Sequence, residues 1–278
     1  MDTFRLINLI KSEESILSQE LDLSICLRTD GFFFSLIDKN YQLKAIGEFE
    51  TDLSHGMTQI MTNLRNSFAS IGIRLFNFSD IRVIVPSSKN VFVPFKLYDS
   101  TKSKDYLRDI AYLSTSETIL ENISNKLDAV SIFAMPMHNY SAVKILMPKA
   151  KYFSQHQIIA EYCFDVSKLS NNTVLLNKRE NACDLVVFKG SQFVFSNCFD
   201  FNNESDLIYQ ILFAFEQLEM DVEDMNFLIT GHDYTNDEKK VLSRHIKNVM
   251  YANPMEFLKY DPQIFNIDLQ KYFLTLVK

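Results

Sequence analysis

The stretch LDLSICLRTDGFFFSLIDKNYQLKAIGEFE, Leu21–Glu50, decides the fold. In Leu21–Leu27 apolar and polar residues partly alternate, and Arg28-Thr29-Asp30-Gly31 ends the run. Asp-Gly between apolar runs predicts a hairpin, because glycine tolerates the positive φ of a primed turn. Phe32–Ile37 is then a second strand, Asp38-Lys39-Asn40 a turn, and Tyr41–Phe49 a third strand. Side chains alternate across a strand, so Phe32, Phe33 and Phe34 cannot share one face, and this strand must be covered on both. Met57, Ile60, Met61, Leu64, Phe68 and Ile71 follow as an apolar stripe at helical spacing, with Gly72 where a C-terminal cap belongs.

The plan recurs. Slid by 151 residues, Leu23, Ile25, Phe34, Leu36, Ile37 and Leu43 overlie Val174, Leu176, Leu185, Val187, Phe188 and Val194. Thr173–Asn177, Asp184–Phe188 and Gln192–Phe199 read as the second meander. Leu207, Ile208, Ile211, Leu212, Phe215 and Leu218 stripe the helix after it. The agreement is one of pattern; Arg28 over Arg179 is the notable identity. A duplicated strand–strand–strand–helix plan implies two similar lobes facing a cleft.

Between and after the meanders, strands alternate with helices. Ile81–Val85, Val91–Phe95 (an edge strand, given Pro94), Ala129–Met135 and Lys151–Phe153 read as strands, and Asp105–Leu113, Asn139–Met147 and Ser154–Leu169 as helices. Ser154 with Gln157, and Thr235 with Glu238, fit capping boxes. Phe227–Thr230 and Val249–Tyr251 are further strands, and Leu269–Val277 closes the chain. This alternation predicts mixed sheets flanked by helices, an α/β fold.

Composition excludes several classes. A length of 278 residues favours two lobes over one core, and 47% hydrophobic with 23% charged residues suits packed cores. The net charge of −7 argues against nucleic acid as a partner, since phosphates must be neutralised by Lys and Arg. The local run Lys239, Lys240, Arg244 and Lys247 reads as a solvated helix face. Cys26, Cys163, Cys183 and Cys198 show no Cys-x-x-Cys spacing and read as free thiols. No stretch approaches the ~18–20 apolar residues that span a bilayer, and the acidic first 25 residues are unlike a signal peptide. The expected location is the cytoplasm, without membrane insertion.

On Leu23-Ser24-Ile25 through Asp30-Gly31-Phe32, Val91-Phe92-Val93-Pro94, Leu97-Tyr98 and Tyr106-Leu107, the chain resembles an uncharacterised bacterial family. That family has a degenerate version of the actin-like ATPase fold, with two ribonuclease-H-like lobes. The order of elements from 129 onward also looks like actin-like proteins of pilus assembly, secretion and cell division. The resemblance implies a first lobe over 1–150, with a small inserted subdomain at about 81–128, and a second lobe over 151–278.

Actin-like ATPases hold phosphates in two hairpin turns, one per lobe, where glycine lets backbone amides approach the oxygens. The resemblance therefore points to an inter-lobe cleft at Thr29, Asp30 and Gly31, at Glu180 and Asn181, and at Gly231 and His232. The residues themselves argue otherwise. The first turn has one glycine, and Ile25 and Leu27 stand where a metal-positioning acid would fall. Arg179-Glu180-Asn181-Ala182 has no glycine, and His232 replaces the second glycine of the adenosine-side loop. Six glycines in 278 residues, about 2% against the usual ~7%, are too few for three such loops. Asp30 also serves simply as a hairpin residue. His232 and Asp233 stand where an anion could meet free helix amides, and equally where a polar loop leads into a helix.

No two of the five histidines have the spacing of a helical zinc site, and Walker, dinucleotide and Gly-x-Ser-x-Gly motifs are absent. The abundance of phenylalanine, 24 residues, favours an interaction role, with Phe33 or Phe92 a docking ring if left uncovered. The expectation is a non-catalytic actin-like protein that needs no cofactor and acts by binding a protein partner or its own copy. The alternative is a nucleotide-binding ATPase or small-molecule kinase, with ATP and Mg²⁺ held by cleft-facing Asp30, Glu180 and Gly231.

Overall fold

A computed structural model describes residues 4–12, 21–75, 78–168, 172–231, 234, 236–256, 258–260 and 268–277. The chain opens with β1 (Phe4–Lys11), β2 (Leu21–Leu27), β3 (Gly31–Asp38), β4 (Leu43–Thr51), α1 (Met57–Ser70) and β5 (Asp80–Val85). Next come β6 (Asn90–Pro94), α2 (Ser103–Arg108), β7 (Glu117–Ser124), β8 (Ala129–Pro136), α3 (Met137–Leu146) and β9 (Lys151–Ser154). Then α4 (Gln155–Ser167) leads into β10 (Asn172–Lys178), β11 (Ala182–Lys189), β12 (Gln192–Asp200), α5 (Glu204–Gln217), β13 (Asn226–Gly231), α6 (Asn236–His245) and β14 (Val249–Tyr251). A 3-10 turn, Leu269–Tyr272, continues into α7 (Phe273–Leu276).

Two large sheets carry the duplication. One runs β1-β4-β3-β2-β5-β9 and the other β12-β11-β10-β13-β14. Leaving β1 aside, the orders are the same: an antiparallel meander, then two parallel strands added beside its first member. The covering of β3 on both faces follows from its three rings. Phe32 and Phe34 face α1, with Phe68 at 5.2 and 5.1 Å between centroids, whereas Phe33 faces the opposite way and meets Tyr272 edge-on at 5.8 Å.

Three cores follow from this layering. The outer core of the first sheet takes Ile60, Leu64 and Phe68 from α1, spaced one turn apart. That of the second takes Leu207, Ile211 and Phe215 from α5 in the same way. Between the sheets lies the third, built from Cys26, Phe33 and Ile84 on one side and Leu175, Val186 and Leu228 on the other. It is filled by Ile159 and Cys163 of α4 and by Phe273 and Leu276 of α7. Tyr162 meets Phe273 edge-on at 5.0 Å, so the last helix is part of the joint. Each fully buried side chain of this size contributes about 2 kcal/mol.

The structure departs from the sequence reading in several places. The segment around 81–128 divides between sheets: β5 belongs to the first large sheet, and the separate three-stranded sheet, β6-β8-β7, includes β8. Similarly, β9 stays with the first sheet, while α4 packs on β10, β11 and β12. Strands β1 and β7 have no counterpart in the sequence reading, and α2 ends at Arg108 rather than near Leu113. The Ser154 hydroxyl does cap α4, accepting from the Gln157 amide at 3.1 Å. The reciprocal bond of a capping box is not made, because the Gln157 side chain donates to Glu161. Thr235 lies outside the described residues.

Candidate functional site

The two hairpins between the first strands of each sheet close alike. The Arg28 amide donates to the Gly31 carbonyl at 2.8 Å and the Arg179 amide to the Ala182 carbonyl at 2.7 Å. The arginines matched by the 151-residue repeat thus hold equivalent backbone positions. Their side chains also do equivalent things, since each meets a buried carboxylate of its own sheet.

Arg28 reaches Glu48 on β4 at 3.1 Å and lies over the Phe33 ring, 4.9 Å from its centroid. Glu48 is buried, and its other oxygen takes Lys271 at 2.7 Å. Asp30 pairs with the Arg28 Nε at 3.0 Å from an exposed position. Thr29 and Asp30 open onto a cavity of about 610 Å³ that is also lined by Phe4, Arg5, Glu50 and Asp52, all from the first half. Arg5 there is already paired with Glu50. A cavity edged by Asp30, Glu50 and Asp52 is a poor place for a phosphate, because like charges repel.

Arg179 donates to Asp184 on β11 at 3.0 Å and to the Cys198 sulfur at 2.8 Å. Asp184 is fully buried and also accepts from Asn177 at 2.8 Å and Gln155 at 3.1 Å, with His156 Nε2 3.7 Å away. Burial alone would raise its carboxyl; the Arg179 charge first, then His156 and the two amide donors, more than offset this, so the group sits below its ordinary value. His156, held by Ser196 at 2.8 Å, is shifted down because burial disfavours the imidazolium. Gln155 ties this cluster across to the first half through both the amide and the carbonyl of Ser87, at 2.9 and 2.8 Å.

Burial pushes the Cys26 thiol up to about 12, with Arg28, Arg179 and Asp184 all within its electrostatic reach. The arginine clusters of the two halves therefore lie at the same end of the inter-sheet core. The Cys198 thiol is likewise pushed up to about 12 by burial, so neither thiol is a nucleophile at neutral pH. The buried Arg179 Nε has no hydrogen-bond partner among the described residues.

Glu180 and Asn181 stand exposed at the tip of the second turn, where the Asn181 carbonyl accepts from the Phe201 amide. Gly31 and Gly231 are glycines because of their neighbours. At Gly31, φ is +156° and a Cβ would fall 2.1 Å from the Phe49 carbonyl oxygen. At Gly231, φ is +100° and a Cβ would fall 2.1 Å from the Lys178 carbonyl oxygen, on the strand that pairs with it. His232 and Asp233 lie outside the described residues. Phe33 and Phe92, the prospective docking rings, are both packed: Phe92 meets Phe193 edge-on at 4.8 Å.

Sequence reasoning missed Glu48, Gln155, His156, Asp184 and Lys271. The available signal was a charged or amide residue inside a strand or helix otherwise built of apolar side chains. Among the described residues no group of three or more His, Cys, Asp or Glu side chains could hold a metal ion, and no helix is long and apolar enough to cross a membrane.

Two matched sheets with an inter-sheet pair of helices and a small added sheet define the actin-like ATPase fold. Over 94% of its length the chain is similar to a Bacteroides thetaiotaomicron protein with actin-like ATPase fold and unknown function, at 24% identity, 97% coverage of that chain and a TM-score of 0.78. It is also similar to a chain in the PilM-PilN type IV pilus biogenesis complex, at 10% identity, covering 92% of this chain and 96% of that one, with a TM-score of 0.61. No curated protein matches the sequence. The family model described as protein of unknown function (DUF3822) matches residues 11–249, and the chain belongs to that family.

Proposed function

We propose that this protein keeps the actin-like frame as a non-catalytic module that binds another protein, and that it does not bind or hydrolyse a nucleotide. The observation that carries this reading is the internal neutralisation of both turn arginines, Arg28 by Glu48 and Arg179 by Asp184. A phosphate would have to displace a buried carboxylate from its arginine, leaving Glu48 with Lys271 alone and Asp184 with no arginine or lysine, at a cost of several kcal/mol. The glycines that a phosphate or adenosine loop would use are instead spent on strand crowding at Gly31 and Gly231. The turns therefore do not fit ATP with Mg²⁺.

A protein partner is consistent with the PilM-PilN structure, in which a chain of similar fold stands in a complex. The net charge of −7 disfavours nucleic acid in that role. Phosphate release from ATP in the presence of Mg²⁺, with Asp30→Ala as comparison, tests the reading. No turnover and no nucleotide-induced rise in Tm are expected. Turnover or stabilisation that Asp30→Ala abolishes would reject it and support the ATPase alternative.

A further inference from the structure

Helix α5 carries an unpartnered aromatic pair on its outer side. Tyr209 is 63% exposed and Phe213 46%, their rings stacked at 5.9 Å and 15°. They lie one turn apart, opposite the face that buries Leu207, Ile211 and Phe215, and neither belongs to a core. Helix α1 holds the corresponding place in the first half and shows what an ordinary outer face looks like here: Thr58, Gln59, Thr62, Arg65 and Asn66, with no ring. Two large rings left in water on one helix and not on its counterpart are not explained by folding.

The surroundings of the pair supply a second observation. From Glu204 to Asp224 the chain has seven carboxylates and no Lys, Arg or His, as many negative charges as the net −7 of the whole protein. Asp206 stands one turn before Tyr209, and Glu216 about one turn after Phe213, with Glu219, Asp221 and Asp224 exposed just beyond. Among the described residues Glu223 is the one carboxylate of this stretch in an ion pair, with Lys247 at 3.1 Å. Lys189 nearby is bound to the Leu218 carbonyl.

We propose that this face of α5 is a docking surface for a basic amphipathic helix of a partner protein, with Tyr209 and Phe213 as its apolar anchors. Rings one helical turn apart match apolar side chains one turn apart on a facing helix. Flanking Lys or Arg side chains would meet carboxylates at both ends and could also lie over the ring faces. The same charge argues against other occupants. A second copy would set acid against acid, and nucleic acid or an anionic bilayer would be repelled. The inference deepens the interaction reading and rests on it.

The test uses the full chain and a fluorescein-labelled synthetic helix of about 15 residues, leucine on one face and lysine on the other. Anisotropy titration should show saturable binding that weakens with salt and that a peptide with Glu in place of Lys does not reproduce. Binding should fall at least ~10-fold for Tyr209→Ser/Phe213→Ser and for Glu216→Lys/Glu219→Lys. If the aromatic variant loses its circular-dichroism spectrum, the charge variant decides alone. Absence of binding, equal binding by both folded variants, or a change in the protein's own oligomeric state in them would overturn the proposal. Turnover of ATP by the same preparation would reject the interaction reading while leaving the peptide result standing, so the two failures can be told apart.

Discussion

Arg179 holds Asp184 at 3.0 Å, and the carboxylate it neutralises is fully buried at the edge of the inter-sheet core. Its counterpart Arg28 does the same for Glu48, so the hairpin arginines of both halves are committed within the protein. At both hairpin ends the arginine charge is thus met by a carboxylate of the same sheet.

Removing the Asp184 carboxylate leaves Arg179 and the amides of Asn177 and Gln155 without their acceptor. Asp184→Ala should lower unfolding stability by about 3–5 kcal/mol. Asp184→Asn combined with Arg179→Met should cost less than the sum of the single changes, because the two interact directly. Urea titration measures both.

Stability should fall in two stages on acidification. His156 has a depressed value in the fold, so the unfolded chain takes up its proton first, and stability declines as pH drops below about 6.5. Asp184 is also depressed, so its contribution is present above about pH 3.9 and is lost as pH falls below that. His156→Gln should remove the upper stage and Asp184→Asn the lower, each with a smaller change in the other stage because the two groups interact. A series of Tm values against pH reads the two separately.

Gly231→Ala tests what that glycine is for. Its Cβ would lie 2.1 Å from a backbone oxygen of the paired strand, so the sheet must shift, and a loss of about 3 kcal/mol or more is expected. Unchanged stability in differential scanning calorimetry would contradict that role.

Phe273 is wholly buried between the two sheets, against Tyr162. Phe273→Ala should cost about 3–5 kcal/mol through lost burial and the cavity left behind. Hydrogen exchange should quicken in β2 and β3, which α7 covers, and in α4. A loss confined to the C-terminal residues would contradict the joining role.

The parts of the fold legible in sequence were those with strong local chemistry. Asp30-Gly31 marked the first turn, the run Phe32–Phe34 required cover on both faces, and the repeat at 151 residues anticipated two sheets of one order. Strand β1 escaped because the adjacent apolar pairs Leu6-Ile7 and Leu9-Ile10 break the alternation of a half-buried strand, where its pairing with β4 shifts register between Leu6 and Asn8. Strand β7 escaped because Glu117 and Glu121 break its apolar pattern, and Glu117 is satisfied by distant Lys89 together with the Ser114 amide. The polar clusters were less legible still. Glu48 meets Lys271, and Asp184 meets Gln155 and His156, only once sheets and helices are stacked. No local spacing encodes such partners, although a charged residue within an apolar strand was a usable warning.

The central claim is that both hairpin ends are satisfied from within. Isothermal titration of the purified chain with ATP and Mg²⁺ tests it most directly. The account predicts no heat beyond dilution at concentrations up to about 1 mM, where even weak association of about −4 kcal/mol would register. A saturable isotherm in the micromolar range, weakened by substitutions at Arg28 or Arg179, would contradict it.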